Sequence, residues 1–92
     1  MGKKVRRHLT ITGRVQGVGY RFFLKRQANL NQVKGWVKNR ADGRVEAVLE
    51  GEIDRVERAI TQAKMGSRWA RVDDLTVFEE PYRGEFDDFF IK

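Results

Sequence analysis

The chain has 92 residues, 40% hydrophobic and 35% charged, a balance that fits one globular domain and is too apolar for a disordered polymer. It has no cysteine, which excludes disulfides and thiolate chemistry, and no apolar run of about 18 residues, which excludes a membrane-spanning helix. Nineteen Lys and Arg against thirteen Asp and Glu leave a formal charge of +6, which favours anionic partners.

The opening stretch, MGKKVRRHLT, is basic but has no apolar core of its own. It does not read as a secretory signal, and a cytoplasmic location is expected. Val5 to Thr12 alternates, with Val5, Leu9 and Ile11 on one face and His8, Thr10 and Thr12 on the other, which predicts a strand. From Gly19 or Tyr20 to about Asn29 the spacing turns helical. Tyr20, Phe23, Leu24, Gln27 and Ala28 recur at steps of three and four and form one mostly apolar stripe. Val33 to Asn39 predicts a second strand, and the polar tetrad RADG a hairpin turn into a third, Arg44 to Glu50. Ile53, Val56, Ile60 and Ala63 then mark a second amphipathic helix, with Asp54 near its start and Gly66 as a left-handed C-cap. Val72 to Glu80 predicts a fourth strand, and Phe86 to Ile91 a short fifth.

The order β-α-β-β-α-β predicts an α+β, ferredoxin-like sandwich over residues 1–92. Two helices cover one face of an antiparallel sheet, and a short C-terminal strand is added. A right-handed crossover brings the end of the first strand, the start of the first helix and the end of the second strand to one edge. That edge carries GRVQGVGYR, residues 13–21, and Asn39. Glycines let such a loop curl its N–H groups into one concavity, and the following helix N-terminus adds free donors and a positive dipole end. Arg21, in the first helical turn, can hold two phosphate oxygens with its fork of donors. The loop is therefore a candidate phosphate cradle, made by the backbone of Val15, Gln16, Gly17, Val18, Gly19 and Tyr20. A tight strand-to-helix connection with a surface arginine accounts for the same residues. The stretch matches neither the P-loop nor the dinucleotide fingerprint. Asn39 ends an apolar strand face, where an amide is costly unless bonded. It either starts the RADG turn or aims a water at a bound phosphoryl group.

Here the residues resemble a known family. GRVQGVGYR is similar to the acylphosphatase signature, and GWVKNRADGRVE (35–46) to that family's second signature. GEIDRVERAITQAKMGSRWARV is similar to its second helix and following strand, so the resemblance spans nearly the whole chain. It implies metal-independent hydrolysis of a carboxyl–phosphate bond, with no cofactor. It further implies that Arg21 binds the phosphate, that Asn39 positions the nucleophilic water, and that the backbone of residues 15–20 is the cradle. A small-molecule acyl phosphate is the implied substrate, and a monomer is expected. Ser67 departs from the family's frequent Pro, and Tyr20 from its more frequent Phe.

Other chemistries have little raw material. Ser67 is the single serine and His8 the single histidine, which leaves nothing for Ser/His catalysis or a zinc site. His8 reads as a strand-face residue. An RNA-recognition module shares the element order, but needs stacking aromatics on its first and third strands, and VRRHLTIT and RVEAVLE supply none. No nucleic-acid or membrane partner is expected. The other alternative is a phosphate-binding accessory domain without activity. The acidic pairs Asp73–Asp74 and Asp87–Asp88 point to opposite faces of a strand and do not converge.

Overall fold

The computed structural model describes residues 2–92. They form β1 (Lys4–Arg14), α1 (Tyr20–Leu30), β2 (Lys34–Asn39), β3 (Val45–Glu52), α2 (Ile53–Met65), β4 (Arg71–Glu80) and β5 (Phe89–Ile91). One sheet has the order β4-β1-β3-β2-β5. The antiparallel register sets Ile11 against Val45 and Leu75, and Val37 against Ala47.

The period-two faces and helical stripes meet as their spacing dictates. Leu9, Ile11, Val37, Val45, Ala47 and Leu49 form the floor of the core. Leu24 and Ala28 of α1 and Val56, Ala59, Ile60 and Ala63 of α2 close it from above. Both helices lie on this face, so the sandwich has two layers. Gly66 ends α2 at φ 77°, ψ 174°, so its φ is positive as the sequence predicts, but its ψ is extended rather than left-handed helical.

One expectation is corrected: the sheet is mixed. β5 runs parallel to β2, Phe89 opposite Gly35 and Ile91 opposite Val37. The cause is the route of the chain after β4. Residues 81–88 cross the end of the sheet that holds Arg6, Glu50 and Lys34, and so deliver the chain to the starting end of β2. The strand is also shorter than the predicted 86–91.

The crossing segment is fixed on the helix-free face of the sheet. Arg6 reaches Glu80 at 2.8 Å, Glu50 at 3.2 Å and Glu85 at 2.6 Å. The Arg83 and Gly84 N–H groups donate to Glu50 Oε2, and the Arg6 guanidinium lies over the Phe86 ring. His8 stands between Glu46 and Glu80, with ring nitrogens at 2.5 and 3.0 Å from their carboxylates. It is a strand-face residue in a charge network.

Candidate active site

The opposite end of the sheet gathers the end of β1, the starts of α1 and β4, and the ends of β2 and β5. Between β1 and α1 the chain makes its glycine loop. Gly17 has φ 73° and Gly19 has φ 77°, left-handed values that disfavour side chains. A Cβ at either would meet nothing within 4 Å. These glycines serve backbone conformation and do not relieve crowding. Gly19 is the N-cap of α1 and has no side chain to cap with; the first turn of α1 also has no acid. Among the described residues, no backbone or side-chain acceptor takes the N–H groups from Gln16 to Phe22. The first internal bond is Phe23 N–H to the Gly19 carbonyl, at 3.0 Å. A run of free donors at a helix N-terminus favours a negative partner.

Each flank of the loop is held. The Val15 side chain is buried in the core. Gln16 donates through Nε2 to the Arg40 and Arg44 carbonyls at 2.8 and 2.9 Å, tying the loop to the β2–β3 hairpin. That hairpin is set by Arg40 N–H to the Arg44 carbonyl and by Asp42, whose carboxyl accepts the Arg44 N–H. This hydrogen bond, with Arg40 and Arg44 nearby, holds the Asp42 carboxyl below its ordinary range. The Tyr20 ring is buried, and its hydroxyl donates to the Ala63 carbonyl at 2.8 Å, an orphan group in the last turn of α2. Burial pushes the Tyr20 phenol well above its ordinary value.

A cavity of about 120 Å³ opens here, lined by Val15, Gly17, Gly19, Tyr20, Arg21, Phe22 and Asn39. The fold thus brings Arg21, Asn39 and the loop glycines to one small concavity with no carboxylate in its lining. Val18 does not line it; it packs partly against the core and lines a neighbouring cavity. The Gln16 side chain faces the hairpin, and Gln16 does not line the cavity either.

Asn39 differs from the sequence reading in one respect. Its side chain is exposed, since the end of β2 runs past the cover of α1, so the amide carries no burial penalty. Among the described residues it makes no side-chain hydrogen bond, and the hairpin turn closes without it. Sequence reasoning also missed the group that orients Arg21: its Nη1 donates to the Lys92 carbonyl at 3.0 Å. Lys92 is itself held by its N–H on the Val37 carbonyl at 2.8 Å. The signal for this was the short apolar run at β5, which had to pair somewhere; its parallel placement beside β2 brings residue 92 to Arg21.

The edge presents donors and a cation, and the class so defined is a ferredoxin-like sandwich built to receive an anion. A profile of the acylphosphatase family matches residues 7–91. The acylphosphatase of Pyrobaculum calidifontis is 54% identical over 88 residues, which cover 95% of this chain and 80% of the relative. The crystal structure of acylphosphatase from Bacillus subtilis superposes with a TM-score of 0.92 at 36% identity, covering 96% of this chain and 98% of that one. The crystal structure of full-length HypF in the phosphate- and nucleotide-bound form contains a similar fold. It is 28% identical with a TM-score of 0.85, over 12% of its own length. The chain belongs to the acylphosphatase family, and its activity is hydrolysis of acyl phosphates.

Proposed function

We propose that hydrolysis takes place in the 120 Å³ cavity, with the phosphoryl group on the loop and a water held by Asn39. The observation that carries the reading is the run of free N–H groups from Gln16 to Phe22, of which those of Gly17, Gly19, Tyr20, Arg21 and Phe22 belong to residues lining the same concavity as the Asn39 amide. The backbone of Val15 to Tyr20 and the positive end of α1 receive the phosphoryl oxygens. Arg21, pre-oriented by the Lys92 carbonyl, adds a cation with two parallel donors. Asn39, unbonded elsewhere, accepts from the water and fixes its line of approach.

Attack forms a bond from the water oxygen to phosphorus. The opposite phosphorus–oxygen bond breaks and its electron pair leaves with the carboxylate; the attacking oxygen keeps one proton as the new P–OH, and the other passes to a phosphoryl oxygen, giving dihydrogen phosphate. Phosphoryl transfer asks a protein mainly for positioning and stabilisation of spreading negative charge. A carboxylate departs without strong protonation, so a neutral amide suffices to hold the water, and the donors supply the charge stabilisation without a metal or other cofactor. We read residues 1–92 as one domain acting as a cytoplasmic monomer without a nucleic-acid partner. The acids Glu46, Glu50 and Glu80 on the open sheet face, where a recognition module would stack bases, support the last point.

The test is turnover of benzoyl phosphate in the presence of EDTA. Asn39→Ala should lower kcat by about 10²-fold or more while leaving inhibition by phosphate largely intact. Arg21→Ala should weaken both. An Asn39→Ala enzyme with kcat within about twofold of wild type removes the water-holding role.

A further inference from the structure

A second cavity adjoins the first. It has a volume of about 420 Å³ and is lined by Arg14, Gly17, Val18 and Trp69. Gly17 lines both, so the loop backbone is the partition between them. Trp69 is 68% exposed, a large apolar surface with no burial to explain it. It sits in the connection between α2 and β4, whose turn is closed by the Ala70 N–H on the Ser67 carbonyl, and Arg68 packs over its ring at 5.1 Å. The register of β4, with Arg14 opposite Arg71 and Gly13 opposite Val72, holds this connection beside the glycine loop.

The sheet order fixes the relative directions. Asn39 ends β2, which lies beyond β3 on one side of β1, and Trp69 precedes β4, which borders β1 on the other. In-line displacement puts the attacking and leaving oxygens on opposite sides of phosphorus. With the water on the Asn39 side, the departing carboxylate and its acyl group face the β4 side. From this geometry, and resting on the phosphoryl placement proposed above, we propose that the Trp69 cavity is the acyl subsite. Its occupant is an aromatic or extended apolar acyl group. The Trp69 ring stacks on it, Val18 forms its floor, and Arg14, which makes no ion pair among the described residues, lies at its edge as a cation for an aromatic face. Trp69 is then a specificity-determining residue, and acetyl phosphate, which has a single methyl, gains nothing from it.

The experiment compares kcat/KM for benzoyl phosphate and acetyl phosphate in wild type, Trp69→Ala and Phe22→Ala. Phe22 is the alternative aromatic: it is 69% exposed and lines the phosphate cavity itself. Trp69→Ala should lose about tenfold on benzoyl phosphate, through KM, with acetyl phosphate turnover and phosphate inhibition unchanged. Phe22→Ala should leave the benzoyl-to-acetyl ratio as it is. An unaltered ratio in Trp69→Ala, an equal loss on both substrates, or a selective loss in Phe22→Ala overturns the subsite while leaving the phosphoryl site standing. Full acetyl phosphate turnover by Asn39→Ala removes the water from the Asn39 side, and with it the direction assigned to the acyl group.

Discussion

Arg6→Met removes a cation that the open face of the sheet buries far from the active site. Arg6 is 6% exposed and its partner Glu50 is 2% exposed. Only one oxygen of Glu50 is served: Oε2 accepts from Arg6, Arg83 N–H and Gly84 N–H at 3.2, 2.8 and 3.3 Å, while Oε1 is buried without a partner. Without Arg6, a desolvated carboxylate keeps two backbone donors and no counter-charge. Breaking a buried pair in this way costs about 3–5 kcal/mol. The half-exposed Glu80 and Glu85 partners add at most about 1 kcal/mol each, since solvent screens them. In a domain of this size each kcal/mol lowers Tm by about 4–8 °C, so the total loss of about 3–7 kcal/mol gives an expected fall of about 12–56 °C. Urea unfolding followed by far-UV circular dichroism reads the loss directly, with the slope m unchanged. Arg6→Met/Glu50→Leu should recover most of it, because the stranded charge is gone and Arg83 and Gly84 lie in reach of water. Turnover per folded molecule should stay at wild type, since Arg6 and the glycine loop lie at opposite ends of the sheet. A single variant losing less than about 1 kcal/mol, or a double variant no better than the single, refutes the argument.

Gly19→Ala, at φ 77° with open space around it, should cost about 1–2 kcal/mol of backbone strain and still fold. Gly35→Ala should prevent folding, because its Cβ would lie inside contact distance of the Val48 carbonyl oxygen and push β2 off β3; expression of a soluble Gly35→Ala protein would contradict this. Tyr20→Phe should cost about 1–3 kcal/mol in chemical unfolding by leaving the Ala63 carbonyl unpaired. The raised Tyr20 phenol means that wild-type stability is full below about pH 10, the unfolded value, and falls as pH rises toward the folded one. The alkaline limb of the Tyr20→Phe stability curve should therefore be flatter. Glu80 works in the other direction. Hydrogen bonds from Arg6 and then His8 hold its carboxyl low, so its contribution is present above about pH 4.3 and lost as pH falls through the folded value. Glu80→Gln should flatten the acid limb, and an acid limb identical to wild type would count against the pairing.

What was legible in the sequence is what period and local chemistry carry. Alternation placed Leu9, Ile11, Val45 and Leu49 on one face, and the helical steps picked Leu24, Ala28, Val56 and Ile60, all of which meet in the core. Glycine spacing marked a loop whose left-handed residues and free donors the structure displays. Neither Arg6 nor Glu50 carried any sign of burial, because a charged residue on an alternating strand reads as solvated unless something distant covers it. Residues 81–88 are that cover, and they have no period to read. The same segment decides the direction of β5, which a hydrophobic triplet alone cannot specify.

Asn39 joins the two kinds of information. The expectation that its amide, ending an apolar strand face, is costly unless bonded falls away, because the residue is exposed. Yet exposure leaves the amide with no protein partner and beside the loop donors, which serves a water-holding role better than burial would: a buried amide would be satisfied by its neighbours and closed to substrate water. The unsatisfied groups lining the phosphate cavity are backbone donors, a cation and one amide, which both donates and accepts. Donors from Gln16 to Phe22, one fork of Arg21 and the Asn39 amide are each left unpaired by a fold that elsewhere pairs even an orphan helix carbonyl through Tyr20. At the other end of the sheet the free oxygen, Glu50 Oε1, is an acceptor sealed from solvent, and a phosphoryl group would be repelled there. The distribution of unpaired donors, more than cavity size, is therefore what sets the two ends of the sheet apart and directs the anion to the glycine loop.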